Sequence, residues 1–407
     1  MSLMHGTTAE GAGVLDDVVI VGAGIAGLTL ARSLARRGVR CRIVEQADSF
    51  GEVGAGLQLS PNATRILGRL GLGERLAEVA VRLEAVIVHD ETGRVVHEME
   101  LGAACEELYG APYLAIHRAR LHSLLAQDLP GVEVAFGDLV TGVSQRSDGA
   151  RITLASGASS THRLVVGADG VRSQVRNVIA DDAPTYSGHS MFRALVRAES
   201  TPWPTSPACV RVFAGPGQHC VSYPIGNGLV NIVATAPMAD WVAESWSHTE
   251  APETLQAAYQ GWAAPVVELL GAITETQRWA VFERPPLHHW STASTTLVGD
   301  AAHPMLPFMA QGANQAIEDA ISLAACLWSV PAIPLETALS RYEAARIART
   351  TQIQERSRTN VSQARNETGG PRPREALRGQ EWLFGHDAEL AACLQADDAE
   401  RQPAWQG

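Results

Sequence analysis

The chain has 407 residues, of which 46% are hydrophobic and 19% are charged, and its formal net charge is −12. This length exceeds what one hydrophobic core usually serves, so we expect two domains or one large domain with an insertion. The composition argues against a disordered chain, and the negative charge argues against nucleic acid and anionic membranes as partners.

The cysteines and the apolar segments indicate in which cellular compartment the protein is expected. The six cysteines are scattered without a CxxC pair, which is typical of free thiols in a reducing compartment. No secretory signal is expected, and residues 1–16 are predicted to be a disordered or tag-like N-terminus. The most apolar stretch, 320–339, is interrupted by Pro331 and Pro334, which favours a buried helix over a membrane span. We therefore expect a cytoplasmic protein without membrane contact.

The first predicted elements, in chain order, are a strand, a glycine turn, a helix and a second strand. Residues 17–21 are a short apolar run, and residues 25–37 place apolar side chains at helical spacing. Gly38 is expected to end this helix in the left-handed conformation. The second strand, over residues 40–44, ends at Glu45.

The later elements change in character along the chain. Short alternating stretches separated by Gly, Pro and Asn predict an antiparallel sheet over residues 186–236. Further predicted elements are a helix over 254–270, a strand over 295–298, a helix over 311–328, a helical stretch over 333–366 and a short helix over 387–395.

The glycine turn has the form GxGxxG, and this form suits a dinucleotide. A helix N-terminus stabilises a pyrophosphate through its free N–H groups and its dipole, and a Cβ in the turn would block the phosphates. An acid 21 residues after Gly24 can bind a ribose diol. A ligand-free glycine turn is the alternative, and the unit alone does not separate NAD from FAD. The expected contacts are Gly22, Gly24, Ile25, Ala26, Gly27 and Glu45.

Two further segments carry a family resemblance. Residues 164–176 read LVVGADGVRSQVR, and residues 297–319 read LVGDAAHPMLPFMAQGANQAIED. Together with the glycine turn they resemble the three fingerprints of the group A flavoprotein monooxygenases, the aromatic hydroxylases related to p-hydroxybenzoate, salicylate and 6-hydroxynicotinate hydroxylases. The resemblance implies that FAD is the cofactor, that the glycine turn holds its ADP part, and that NADH or NADPH is a transient reductant.

The resemblance also implies further cofactor contacts. Asp300 would accept hydrogen bonds from the ribityl hydroxyls, and the helix that follows would direct its N-terminus at the flavin N1/O2 edge. Arg118 lies in a segment similar to the family's HRxxL motif, although Arg120 stands where relatives often have an acid. For Asp169, a plain Asp-Gly turn is the alternative. The implied contacts are Arg118, Asp169, Gly170, Arg172, Gly299, Asp300, Pro307, Gly312, Ala313 and Asn314.

The resemblance implies an α/β fold with a Rossmann-type FAD-binding domain, an inserted β-sheet substrate domain and C-terminal helices. We assign residues 17–80, 111–185 and 285–366 to the first and residues 81–110 and 186–284 to the second. Residues 367–407 are expected to be a loop and a short helix, with the arginines near Arg372 in the solvated loop.

The implied activity is hydroxylation of a small phenolic, anthranilate-like or heteroaromatic acid through a flavin C4a-hydroperoxide, with NAD(P)H and O2 consumed. No metal is expected, since no His, Cys and carboxylate cluster has metal spacing. The alternatives are a flavin epoxidase or other flavin oxidoreductase, and a non-catalytic FAD-binding or ligand-binding accessory flavoprotein. The expected assembly is a monomer or a homodimer.

Candidate substrate residues lie in the predicted sheet. A phenolate reacts faster than a phenol with an electrophilic oxygen, so a base is expected near the substrate. His219 and Tyr223 are four apart in a strand and therefore share a face, at a spacing similar to that in 6-hydroxynicotinate hydroxylases. We predict that His219 is the base or hydrogen-bond partner and that Tyr223 orients the substrate. Packing of both side chains in the core is the alternative.

Three more side chains are candidates for the substrate pocket. Arg193 could pair with a substrate carboxylate, and a structural acid is an equal alternative partner. Pro307 and Phe308 are expected to line the pocket, with the proline stiffening its loop. His303 lies inside the third fingerprint, and we assign it a structural or cofactor-loop role rather than a catalytic one.

Overall fold

The computed structural model describes residues 15–51, 55–238, 249–330, 332–363 and 372–401. Most of the predicted tag-like N-terminus and parts of the predicted C-terminal segment therefore lie outside the described residues. The strands are β1 (Val18–Val21), β2 (Cys41–Val44), β3 (Gly56–Leu59), β4 (Val81–Arg82), β5 (Ala85–Asp90), β6 (Val95–Glu100), β7 (Leu114–His117), β8 (Glu133–Ala135), β9 (Val140–Arg146), β10 (Gly149–Leu154), β11 (Ser159–His162), β12 (Leu164–Gly167), β13 (Thr185–Arg197), β14 (Cys209–Gly215), β15 (Gln218–Gly226), β16 (Leu229–Pro237), β17 (Thr249–Glu250), β18 (Thr276–Glu283) and β19 (Thr295–Leu297).

The helices lie mainly at the two ends of the chain, with one pair between β17 and β18. They are α1 (Ile25–Ala35), α2 (Pro61–Arg69), α3 (Gly73–Val79), α4 (Gly102–Tyr109), α5 (Arg118–Ala126), α6 (Pro252–Ala258), α7 (Ala264–Gly271), α8 (Gly312–Trp328), α9 (Leu335–Gln363), α10 (Pro373–Arg378), α11 (Glu381–Phe384) and α12 (Ala388–Arg401). No helix in the described part of the chain is long and apolar enough to cross a membrane.

A parallel sheet with the order β19-β12-β1-β2-β8 forms the first layer. Its central strand β1 is buried along its whole length, since helices cover a parallel sheet and leave no solvated face. The helices α1 and α8 pack against each other beside it. Parallel strands alternating with helices confirm the predicted α/β, Rossmann-type fold.

A larger sheet with the order β17-β18-β13-β16-β15-β14-β5-β6 forms the second layer. Its pairs are antiparallel except for the parallel pair β14 and β5. The helices α6 and α7 pack against one face through an apolar cluster. The opposite face contributes to a second cluster that contains β7 and the helices α10 and α11. The predicted antiparallel sheet over 186–236 is confirmed, while the proposed domain boundaries stay a prediction.

Two predicted elements are wrong. The single helix expected over 254–270 is divided into α6 and α7, because Gly261 has φ +83° and Pro265 stands at the start of α7, where its missing N–H costs nothing. The loop expected after residue 367 contains α10 and α11. Pro373 begins α10, and the Glu375 carboxylate accepts a hydrogen bond from the N–H of Arg372, so local capping overrides the loop-like composition.

Candidate active site

The three glycines of the turn between β1 and α1 have different surroundings. Gly22 has φ +104°, and a Cβ there would lie 2.5 Å from the carbonyl oxygen of Ala168. A Cβ at Gly27 would lie 2.0 Å from the carbonyl oxygen of Gly22, so this glycine lets helix and strand approach closely. A Cβ at Gly24 would meet no atom within 4 Å. The open space is therefore at the one glycine where a phosphate has to approach the backbone.

Glu45 stands at the carboxyl end of β2 and faces the glycine turn. Its carboxylate accepts hydrogen bonds from the N–H of Ala23 at 2.7 Å and from that of Ala47 at 2.8 Å. A carboxylate has about four acceptor positions, so two remain for ribose hydroxyls. Nε2 of His122 lies 2.7 Å from the carbonyl oxygen of Ala23 and holds the turn from the other side. Ile25 and Ala26 form the buried first turn of α1.

The second fingerprint forms the turn after β12. Gly170 has φ +76°, and Arg172 is exposed. Oδ2 of Asp169 accepts a hydrogen bond from the N–H of Gln174 at 2.7 Å, whereas its Oδ1 is buried with no hydrogen-bond partner among the described residues. Burial raises the pKa of Asp169. A buried carboxylate oxygen without a partner is costly, and a polar ligand such as FAD would satisfy it.

The buried Arg176 connects the second fingerprint to the third. Its guanidinium donates to the carbonyl oxygens of Ala301 at 3.0 Å and Ala302 at 2.8 Å, and it forms an ion pair with Asp182. These bonds fix the backbone immediately after Asp300. The second fingerprint therefore positions the carboxylate that is expected to bind the ribityl chain.

Asp300 lies in a tight turn after β19, next to the N-terminus of α8. Its side chain is exposed, yet protein atoms crowd around it and raise its pKa against the opposing charges of His303 and Arg118. A Cβ at Gly312 would lie 3.9 Å from Oδ1 of Asp300, so the carboxylate and the start of α8 are neighbours. Gly299 has φ +61°, which the turn requires.

The first turn of α8 is tied to β3 by Asn314. Its Oδ1 accepts a hydrogen bond from the N–H of Ser60 at 3.0 Å, and its Nδ2 donates to the carbonyl oxygens of Gln58 at 3.1 Å and Ala310 at 2.7 Å. The side chain is thus occupied, so any contact of Asn314 with the cofactor has to come from its backbone. Ala313 packs against the main apolar cluster.

A buried group of charges lies behind this turn. Nε2 of His303 lies 2.5 Å from Asp319, and Arg346 bonds the same carboxylate at 2.7 Å. Burial alone would raise the pKa of Asp319, but His303 and Arg346 lower it below its usual value. Glu318 pairs with Arg346 and also with Arg349. His303 is therefore hydrogen-bonded to Asp319 behind the turn that carries Asp300, which fits the structural role predicted for it.

The register of the large sheet decides which side chains share a face. His219 lies opposite Thr235, which lies opposite Met191, while Arg193 lies opposite Val233. Since paired residues point to the same face and alternate residues share a face, His219, Tyr223 and Arg193 lie on one face of the sheet. The predicted shared face of the histidine and the tyrosine is confirmed.

His219 is buried against the loop of the third fingerprint, which carries Phe308. Its ring lies 4.8 Å from that of Phe308, centroid to centroid, and its Nδ1 has no hydrogen-bond partner among the described residues. Burial, and after it the neighbouring His189, lowers the pKa of His219 to about 4. The imidazole is therefore neutral near pH 7 and can accept a hydrogen bond. Pro307 starts the short turn that carries Phe308.

Tyr223 lies beside Tyr113 and Asn231, which the sequence did not single out. The Gln58 amide lies close enough to Tyr223 to oppose the rise in its pKa, and the hydroxyl of Tyr113 donates to Oε1 of the same amide at 3.0 Å. Burial raises the pKa of Tyr223 to about 12. Asn231, opposite Tyr223, accepts a hydrogen bond from the N–H of Gly56 at 2.6 Å. These contacts join the large sheet to β3.

Arg193 is half-buried, and its guanidinium carbon lies 4.5 Å from the ring centroid of Trp279. The positive charge is close enough to Tyr223 to oppose the rise in its pKa. Within the described ranges, no group of three or more His, Cys, Asp and Glu side chains could hold a metal ion. The polar groups of this face therefore include a neutral imidazole, a phenol and a guanidinium.

Comparison with known proteins gives consistent matches. The FAD binding domain family matches residues 16–357. The chain is 42% identical to 3-amino-4-hydroxybenzoate 2-monooxygenase of Streptomyces platensis over 91% of this chain and 96% of that protein. It is 34% identical to 6-hydroxynicotinate 3-monooxygenase of Pseudomonas fluorescens, over 91% of this chain and 94% of that one. A salicylate hydroxylase solved as a substrate complex has the same fold, with a TM-score of 0.78 at 24% identity, over 97% of this chain and 99% of that one.

Proposed function

Because the chain belongs to the FAD binding domain family and is a flavin-dependent aromatic monooxygenase, we propose that it hydroxylates a small aromatic acid that carries a ring hydroxyl or amino group. The relatives named above act on 3-amino-4-hydroxybenzoate and 6-hydroxynicotinate. The observation that carries the proposal is the shared face of His219, Tyr223 and Arg193 beside the loop of the third fingerprint.

The size of the substrate is limited by the strand. Residues four apart in a strand have Cα atoms roughly 13 Å apart, since each residue rises about 3.3 Å. We propose that the substrate lies between His219 and Tyr223 as one aromatic ring with a polar group at each end. The proposed substrate is therefore a phenolic, anthranilate-like or heteroaromatic acid with a single ring.

The proposed roles follow from the charges of these groups. His219 is neutral, so its free ring nitrogen accepts the hydrogen of the ring hydroxyl and favours the more reactive phenolate. Arg193 supplies the positive charge that binds the carboxylate. The phenyl ring of Phe308 limits the entry of water beside His219. FAD, once bound and reduced by NADH or NADPH, supplies the activated oxygen.

The residues proposed to hold FAD fit the cofactor in three places. The open approach at Gly24 suits the pyrophosphate, the unsatisfied Oδ1 of Asp169 suits a polar part of the cofactor, and the exposed carboxylate of Asp300 suits the ribityl chain. The N-terminus of α8 offers free N–H groups to the flavin. Arg118 and Arg172 are proposed as further contacts with FAD or with the nicotinamide nucleotide.

We also propose that the enzyme works in the cytoplasm as a monomer or a homodimer. No disulfide joins any of the six cysteines, all of which lie in the described part of the chain, and this suits a reducing compartment. The formal charge of −12 keeps copies of the chain apart without preventing a two-fold contact. Light scattering of the flavin-loaded protein gives its mass, and a larger assembly would contradict this part of the proposal.

A panel of aromatic acids tests the proposed substrate class. Each acid is added to the flavin-loaded protein with NADH or NADPH, and oxidation of the nucleotide and uptake of O2 are recorded. At least one single-ring acid with a hydroxyl or amino group should stimulate both. His219→Gln should lower kcat for that acid by about a hundredfold or more, as loss of a general base does. If no such acid stimulates oxidation, the proposed substrate class is wrong.

A further inference from the structure

A row of partly exposed side chains crosses the large sheet on the face that carries His219. The register pairs Val221 with Val233, and Val233 with Arg193. On the other side of Val221 the same row continues into Val212. All of them are partly exposed, although they lie on inner strands of an eight-stranded sheet. Since paired residues point to the same face, the row is one accessible strip that runs across the strands.

The rows on both sides of this strip are buried. In the neighbouring row at one side, His219, Thr235 and Met191 are 8%, 2% and 4% exposed. In the neighbouring row at the other side, Tyr223 and Asn231 are 4% and 0% exposed. A sheet face that was simply turned to solvent would expose all of these rows alike. The strip is therefore a gap between two segments that cover the sheet.

The two covering segments are β3 and the loop of the third fingerprint. β3 packs closely on one buried row, since a Cβ at Gly56 would lie 2.9 Å from Cε2 of Tyr223. The loop packs on the other buried row, where the ring of Phe308 lies 4.8 Å from that of His219, centroid to centroid. Asn314 in the first turn of α8 donates a hydrogen bond to the backbone of β3 at 3.1 Å. The gap therefore opens beside the helix N-terminus that is expected at the flavin.

We propose that Val221 and Val233 are specificity-determining residues that form the floor under the aromatic ring, with the carboxylate of the acid directed along the row to Arg193. This inference rests on the proposed function. Adjacent strands are about 4.8 Å apart, so Arg193 lies roughly 10 Å from Val221 across β16. His219 and Tyr223 lie roughly 7 Å from Val221 in opposite directions along β15. A ring above the two valines is therefore central to the three polar side chains of the proposed site.

The size of the floor side chains should decide which substituents the ring can carry. Valine is stiff at χ1, so each floor residue presents its two methyl groups in a fixed orientation. One carbon more or less in an apolar pocket changes discrimination between ligands by a factor of about 10 to 200. Alanine at either position leaves space for a further group on the ring, whereas phenylalanine occupies the space of the ring itself. Neither change removes a polar side chain of the proposed site.

Pairs of ligands that differ by one methyl group test this role. The probes are m-hydroxybenzoate, p-hydroxybenzoate and the derivatives of each that carry one additional ring methyl group. Their affinities are measured by titrating the flavin spectrum of the loaded protein. In Val221→Ala and in Val233→Ala, at least one methylated acid should gain about tenfold in affinity relative to its parent acid. In Val221→Phe, affinity for the parent acid should fall about tenfold or more.

A matched control is Val88, which lies in the same row and is also partly exposed. Val212 separates it from Val221, so Val88 lies roughly 10 Å from Val221 on the side away from Arg193. Val88→Ala should therefore leave the relative affinities of methylated and parent acids unchanged. Flavin content and thermal unfolding midpoints show whether each variant is folded, and the two alanine variants keep the test decisive if Val221→Phe does not fold.

The relative affinities decide between a floor and a merely structural role. If methylated and parent acids lose affinity equally in both alanine variants, or if their relative affinities do not change, the proposed floor is overturned while the proposed function stands. An equal gain for the methylated acids in Val88→Ala would overturn it as well. A wild-type protein whose flavin spectrum responds to no aromatic acid would instead overturn the proposed function and, with it, this inference.

Discussion

Burial, rather than a charged partner, sets the properties of His219. The pKa of this histidine falls from 6.5 to about 4 because protein surrounds the ring and because His189 is a nearby group that can carry a like charge. The neutral ring can accept a hydrogen bond from the substrate hydroxyl, which the proposed role of His219 requires. The same depressed pKa has a consequence for stability, because the unfolded chain binds a proton at this position before the folded chain does.

We expect His219→Gln to reduce the loss of stability in mild acid. Between pH 6.5 and about pH 4 the unfolded state of the wild type is protonated at this histidine and the folded state is not, so stability falls as the pH falls. The wild type should therefore lose up to about 1.4 kcal/mol per pH unit more than the variant across this range. Thermal unfolding midpoints across a pH series measure the difference. The exposed His288→Gln variant should follow the wild type, and parallel curves for all three proteins would refute the pKa assignment.

The positive charge of Arg193 should favour ligands that carry a carboxylate. Arg193→Met keeps much of the length that packs against Trp279 and removes the charge that would bind a carboxylate. We expect affinity for the aromatic acid to fall about tenfold to a hundredfold, as loss of a charged hydrogen bond does, with little change for the phenol lacking the carboxylate. Spectral titrations of the flavin measure both affinities. An equal loss for both ligands would assign Arg193 a structural role instead.

Two glycines of the same turn should behave differently when substituted. Gly24 has φ −72° and open space around its missing Cβ, so Gly24→Ala should fold normally and lose FAD affinity. Gly27→Ala places its methyl group against the carbonyl of Gly22 and should lower the free energy of unfolding by more than about 2 kcal/mol. Unfolding curves and flavin content of the purified proteins check both outcomes. Full flavin content in Gly24→Ala would contradict the pyrophosphate site.

The helix α8 depends on charges buried behind its first turns. Arg346 contacts Glu318 and Asp319, and none of the three side chains is exposed. Removing one partner leaves carboxylates buried and unpaired, so Arg346→Met should cost about 3 to 5 kcal/mol of stability. Denaturant unfolding measures the cost. Arg197→Gln breaks an exposed ion pair with Glu199 and should change stability by less than about 1 kcal/mol. Similar effects for both variants would contradict the importance of burial.

The elements that the sequence predicted well carry strong local signals. β1 is a continuous apolar run that the GxGxxG turn ends, and β13 to β16 alternate between turn residues. The division between α6 and α7 was missed because the apolar spacing continues through Gly261 and Pro265. The helices α10 and α11 were missed because Pro and Gly in the surrounding segment are typical of loops, while the apolar contacts that stabilise them come from elsewhere in the chain.

The site is built from segments that are far apart in the chain. The three fingerprints were visible because each keeps its spacing within one short segment. The neighbours of Tyr223, by contrast, include Gln58 and Tyr113, which only the tertiary fold brings to β15. The position of Trp279 beside Arg193 likewise depends on the register of β13 and β18. Sequence spacing predicted the cofactor side, and the sheet register was needed for the substrate side.

We conclude that this flavoprotein inserts one oxygen atom from O2 into an aromatic acid. The most direct test supplies the flavin-loaded protein with NADH or NADPH, a stimulating aromatic acid and ¹⁸O2, and determines the mass of the product. We predict one ¹⁸O atom in the ring substituent and consumption of one nucleotide for each product formed. Oxidation of the nucleotide that yields only hydrogen peroxide with every acid, or a product whose new oxygen comes from water, would contradict this account.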